Sequence, residues 1–167
     1  MTCKLVYYGN KTLSSVAKAV ENIDGAIASI IDRMFETMYK ESGIGLAAPQ
    51  VNLAKRIIVV DTGEGHNGKM ALVNPVIKEK SDFTEPYDEG CLSLPGIRSE
   101  VIRPYSILLS GYNRDGKEVT FEAEGINARV LQHELDHLDG ILFVDRIEKY
   151  KKDELRKELK RIKKMGR

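Results

Sequence analysis

Two histidines four residues apart, His133 and His137, with Glu134 directly after the first, constrain the conformation of this 167-residue chain more than any other feature. A helix puts positions i and i+4 one above the other on a single face, so two imidazoles can grip one metal ion from one rigid element. Glu134 then lies beside that face, within reach of a water on the metal. The metal acidifies such a water and the carboxylate takes its proton, which is the arrangement of a hydrolytic site. The plain alternative is a surface helix that happens to carry two His. Against it, the chain has only three His, and two of them fall at this spacing with Glu in the matching slot.

A catalytic metal site needs a third protein ligand and an open position. Glu89-Gly90-Cys91-Leu92-Ser93 offers Cys91. A thiolate is soft and negative and suits Zn²⁺, Fe²⁺ or Co²⁺ rather than Mg²⁺ or Ca²⁺. Gly43-Ile44-Gly45-Leu46-Ala47-Ala48-Pro49-Gln50 adds small residues that let another backbone approach closely. It also adds Gln50, whose amide can donate to an oxyanion.

Together the three segments resemble the signature motifs of the peptide deformylases, G-x-G-x-A-A-P-Q, E-G-C-L-S and Q-H-E-x-D-H-L-x-G. They match at every fixed position, in the family's order and at similar spacing, from about Asp32 to about Asp145. Two stretches depart from the pattern. Gly9 to Ser14 stands where the family usually has Pro-Asp followed by Leu-Arg. Asn52 stands where it often has Gly, and Asn tolerates a positive φ better than most residues.

The resemblance implies a divalent metal on Cys91, His133 and His137, with Fe²⁺ as the working ion and Zn²⁺, Ni²⁺ or Co²⁺ as possible occupants. It implies Glu134 as general base and then general acid, with the Gln50 amide and the Leu92 backbone N–H as oxyanion donors. The substrate it implies is an N-formyl-methionyl nascent peptide, cleaved to formate and a free α-amine. Gly43 to Gly45 can pair with the peptide backbone as an added strand. Ile44, Ile126 and Val130 are candidates for the methionine slot. For Ile126 and Val130 a core position is an equal alternative. Arg98 reads either as a contact further along the peptide or as a surface arginine. Asp136 and Asp139 read as capping, helix-surface or supporting groups rather than as ligands, and Glu89 as a support for the loop that presents Cys91.

Composition is that of one globular domain over residues 1–167, 42% hydrophobic and 31% charged, with enough chain to bury a sizeable core. No apolar run approaches 18 residues, so no membrane partner is expected. Two cysteines, of which Cys91 is committed to the site, make no disulfide framework and lead to the expectation of a reducing cytoplasm.

Gly25 to Lys40 carries an apolar stripe at helical spacing, with Asp24 to cap its start. Arg56 to Val60 and Ala71 to Ile77 read as strands, with Pro75 predicting an edge or a bulge. Tyr105 to Tyr112 and Val119 to Ala123 flank a hairpin turn at Asn113 to Gly116. Ile126 to Leu138 is the helix of the metal motif. Strands and helices do not alternate regularly, so the class is α+β, with mixed or antiparallel sheets around that central helix. Gly63 to Lys69 fits a phosphate-loop spacing, but a strand follows it where a helix is needed, and a hairpin loop is the expectation.

Charge is segregated. From Lys149 onward ten Lys or Arg face three Asp or Glu (+7), whereas the preceding 148 residues carry 16 against 22 (−6). A C-terminal helix over about 147–165 is predicted, with Leu155, Leu159 and Ile162 as a docking stripe and the rest basic. Either its charged face is simply solvated or it contacts ribosomal RNA where the nascent chain emerges. Two other functions compete with a deformylase. A zinc endopeptidase would share the two-histidine helix, and a non-catalytic metal-stabilised module would have no need of Glu134 or Gln50.

Overall fold

The computed structural model describes residues 1–166. Its first helix, α1 (Gly25–Lys40), starts where the Asp24 side chain accepts a hydrogen bond from the Ile27 amide. Five strands follow in one sheet: β1 (Gly45–Ala47), β2 (Ile57–Asp61), β3 (Lys69–Lys80), β6 (Ser106–Tyr112) and β7 (Glu118–Glu124), in that spatial order and antiparallel throughout. Between β3 and β6 the chain leaves this sheet for a separate antiparallel hairpin, β4 (Thr84–Cys91) and β5 (Leu94–Pro104). The helix α2 (Gly125–Leu138) then crosses the five-stranded sheet. The class is α+β, as expected, and the pairings between strands are antiparallel rather than mixed.

β2 explains why the sheet needs a helix on each face. Successive strand residues point to opposite faces. Ile58 and Val60 pack with Leu131, Leu135 and Leu138 of α2. Ile57 and Val59 pack with Ile31, Met34 and Met38 of α1. The run Ile-Ile-Val-Val is therefore fully buried, because neither face of this strand meets water. A third cluster joins Leu94, Ile97 and Val101 of the hairpin to Phe143, Leu159 and Ile162.

Pro75 marks a bulge, since the register with β6 shifts between Val73 and Val76. It does not mark an edge: β3 is the middle strand of five. The bulge is held by Asn74 at φ +50°, whose side chain accepts from the Val20 amide and donates to the Val20 carbonyl. Asn52 takes the left-handed conformation at φ +63°, as its place in a turn required.

The basic tail differs from the single helix expected over 147–165. It forms α3 (Lys149–Glu154) and α4 (Arg156–Met165), with a break at Leu155 where φ is −84° and ψ is 0°. Ile147 lies outside the helix. Ile147, Leu155, Leu159 and Ile162 all pack on the third cluster. No helix among the described residues is long and apolar enough to cross a membrane. The Gly63–Lys69 segment is a loop running into β3. Lys69 sits over the rings of Phe35 and Tyr39, and His66 is exposed.

Candidate metal centre

Three elements bring the site together. α2 supplies both histidines, four residues apart on its buried face. The tip of the β4–β5 hairpin supplies Cys91, where the register shifts after Gly90 so that Cys91 pairs with Leu94. The short 3-10 turn Ala48–Val51 supplies Gln50. Cys91 Sγ and the ring nitrogens of His133 and His137 all lie within 4.8 Å of one another. Cys91 Sγ is 3.3 Å from His137 Nε2. The imidazoles stand 5.1 Å apart at 72°, so their lone pairs converge from different directions.

The donor set fits a borderline-soft divalent metal on the protein's own chemistry. His133 Nδ1 is 2.9 Å from Glu89 Oε1, which commits that nitrogen and leaves Nε2 to face Cys91 and His137. Burial pushes His137 well below the usual imidazole range, keeping it neutral and able to donate a lone pair. Burial also opposes charge on His133, but hydrogen bonds to Cys91 and Glu89 outweigh it and raise its pKa well above the usual range. Metal loading must displace that proton.

Glu134 is 3% exposed, and its Oε2 has no hydrogen-bond partner among the described residues. Burial is the main force on it, and its carboxyl is raised to about 7, with Glu89 and Asp136 adding to the shift and His133 and Arg103 opposing it. A carboxyl poised near neutrality can both take and return a proton at working pH. Gly45 exists for this residue. A Cβ there would stand 2.5 Å from Glu134 Oε1 and 2.8 Å from Val130 Cγ1. Gly43 is tight against Leu92, whose Cδ1 would be 2.8 Å from an added Cβ.

The Gln50 amide is pinned. Its Oε1 accepts from the Ala47 amide at 2.9 Å, which turns Nε2 toward Cys91 Sγ at 3.4 Å and Ser93 Oγ at 3.3 Å. Gln50 is therefore brought to the cluster, as is the Leu92 main chain that follows Cys91. A cavity of about 770 Å³ opens beside them. Ile44, Ile126 and Val130 line it, with Ile44 half-exposed at its mouth and Val130 nearly buried. Val130 also belongs to the core cluster that Ile126 packs against, so both residues have a core position and a place on the cavity wall. Arg98 lines the cavity too, but its guanidinium is engaged by Asp88 at 2.6 Å.

A buried charge network behind the ligands went unread in the sequence. Glu89 accepts from Arg103 at 2.7 Å and from Arg129 at 2.7 Å, while its other oxygen meets His133. Burial alone would raise the Glu89 pKa; hydrogen bonds from His133 and Arg103 outweigh it and hold it at about 2. Asp136 takes Arg103 and Arg146, and Asp139 takes Arg56, so neither aspartate is a ligand. The available signals were Arg129 four residues before His133, on the ligand face, and Arg103 two residues after Val101, at an inward strand position.

A family model described as polypeptide deformylase matches residues 2–153. A peptide deformylase of Halothermothrix orenii is 52% identical over 139 residues, spanning 83% of this chain and 89% of that protein. One from Brachyspira hyodysenteriae is 46% identical over 167 residues, 97% of this chain and 89% of its own. The crystal structure of a plant peptide deformylase superposes with a TM-score of 0.91 at 41% identity, covering 98% of this chain and 90% of that one. Family, sequence and architecture agree with the Cys-His-His cluster and leave neither an endopeptidase nor a non-catalytic module in contention. This chain belongs to the peptide deformylases, metal-dependent hydrolases that remove the N-formyl group from the formyl-methionine of newly synthesised proteins and release formate.

Proposed function

We propose that Cys91, His133 and His137 hold the catalytic metal, that Glu134 is its general base, and that Gln50 and Leu92 donate to the developing oxyanion. The convergence of one thiol and two imidazole nitrogens beside a partnerless buried carboxylate oxygen carries this reading. The ion is Fe²⁺ in the working enzyme, with Zn²⁺, Ni²⁺ or Co²⁺ able to take its place on a His₂Cys set. When bound, it supplies Lewis acidity and lowers the pKa of water toward neutrality.

Glu134 takes the proton of the attacking water on its unpartnered oxygen and returns it to the departing α-amine. Gln50 Nε2, aimed by the Ala47 amide, and the Leu92 N–H stabilise the negative oxygen that forms on the formyl carbon. Each donor contributes about 2–4 kcal/mol to the barrier reduction. β1 is the edge of its sheet, so Gly43 to Gly45 can accept the peptide as an added strand on the side away from β2. Ile44, Ile126 and Val130 form the slot for the methionine side chain. The protein works in the cytoplasm, and the outer basic face of α3 and α4 contacts the ribosome near the emerging chain.

Metal content of protein purified without oxygen, paired with formate release from a formyl-methionyl peptide, tests this reading. One equivalent of iron and stoichiometric formate are expected. Cleavage of internal peptide bonds, or formate release that persists after the metal is stripped, would overturn it.

A further inference from the structure

The two halves of the metal site belong to separate structural units. The histidines ride on α2, whereas Cys91 rides on a hairpin that forms no strand pairing with the five-stranded sheet. Ladder hydrogen bonds to that sheet therefore do not fix the height of Cys91 above the helix. The Tyr8 amide holds the Ser93 carbonyl at the hairpin tip, and the ties to α2 itself are made by side chains. Arg103 reaches from β5 to Glu89 and Asp136, and Gln132 donates to the Pro104 carbonyl. Arg129 does more. It is buried on the ligand face of α2, one turn before His133. Its Nη1 donates to Glu89 Oε2 at 2.7 Å and to the Val101 carbonyl at 2.9 Å, and its Nη2 donates to the Glu85 carbonyl. One guanidinium thus grips the main chain of both hairpin strands and the carboxylate that orients His133, two residues from Cys91. The Tyr87 ring covers it, with Cζ 5.4 Å from the ring centroid.

We propose that Arg129 is a positioning residue: it clamps the β4–β5 hairpin to α2 and so sets where the Cys91 thiolate meets the two histidines. The planar fork presents two nitrogens to acceptors on the two strands, whereas a lysine ammonium brings all its donors to one point and spans them less well. The proposal rests on Cys91 being a ligand, and the test separates the two claims.

Cobalt-loaded protein is the probe, because a thiolate on Co²⁺ gives a near-ultraviolet charge-transfer band that imidazole ligands do not. Wild type should show the band; its absence there would sink Cys91 as a ligand and this proposal with it. In R129M we expect the band to weaken or shift and Co²⁺ affinity, measured against a competing chelator, to fall about 10- to 100-fold, the usual effect of losing support behind a ligand. kcat should fall with it, while KM for a formyl-Met dipeptide changes little. R129K keeps the charge beside Glu89 and the aliphatic stem. It should fold, as judged by circular dichroism, and recover only part of the affinity. A wild-type band and wild-type Co²⁺ affinity in both variants would leave Cys91 a ligand and overturn the clamp. Failure of R129K to fold would overturn it too, since Arg129 would then be needed for the fold rather than for the geometry of one site.

Discussion

At the scale of single residues, the site depends on where side chains are absent as much as on where they are present. Gly45 is crowded because Glu134 Oε1 and Val130 Cγ1 occupy the space a Cβ would take, so an alanine there must displace one of them. Gly45→Ala should cost about 1–3 kcal/mol of stability through overpacking. It should also lower kcat/KM by about 10- to 100-fold through displacement of the Glu134 carboxylate. Gly25→Ala is the matched control: nothing lies within 4 Å of its Cβ, and it sits at the first position of α1. It should be neutral or slightly stabilising. Chemical denaturation and formate release measured on both variants check the contrast. Equal losses at the two positions would mean that the crowding at Gly45 has no consequence.

At the scale of elements, the joint between hairpin and helix is ionic and buried, and its strength depends on pH. Glu89 titrates at about 2 when folded, below its ordinary 4.5. The folded state therefore favours the carboxylate above pH 4.5, and this contribution drains away as pH falls from 4.5 toward 2. It amounts to about 3 kcal/mol at neutral pH. Glu89→Gln should be less stable than wild type at pH 7 by about that much or more, since it leaves Arg103 and Arg129 buried without their anion. The gap should close as the pH approaches 2. A constant gap across that range in urea titrations would mean that the network carries no net stabilisation.

This joint was also the least legible part of the chain. β4 buries only Glu89 fully and exposes the rest of Thr84 to Asp88, so it has no apolar alternation to reveal a strand. α1 was legible because its apolar period matches its buried face, β2 because of its unbroken apolar run, α2 because of the two-histidine motif, and the β6–β7 hairpin because its turn residues announce it. His133, Glu134 and His137 could be read as a candidate site because their spacing is local, and Cys91 because of the motif around it. Arg103 and Arg129 could not, because their partner Glu89 is distant in sequence and only the fold brings the three together.

At the scale of the whole molecule, charge is divided between an acidic body and a basic tail, and the tail is held by apolar contacts while Lys149, Lys152 and Arg156 are paired with aspartates. Leu159 and Ile162 are buried, whereas Lys157, Lys160, Arg161 and Lys164 are exposed. Lys163 packs against Gly9 and is unsuited to a test of charge alone. Reversing the four exposed cations to Glu should leave turnover of a short formyl-Met peptide unchanged and weaken ribosome co-sedimentation in a salt-dependent way. Equal co-sedimentation of wild type and variant at low salt would make the tail a solvated helix face and nothing more.

The proposed function divides labour at the site: three side chains hold the metal and a fourth moves the proton. Glu134→Gln separates these roles most directly, because it keeps the shape of the side chain and removes only its basicity. Metal content and formate release should be measured on one preparation of the variant. A full equivalent of metal and a loss of turnover on the order of 10²–10⁴-fold are expected. A variant that loses its metal, or that turns over at near wild-type rate with the metal bound, would contradict that division.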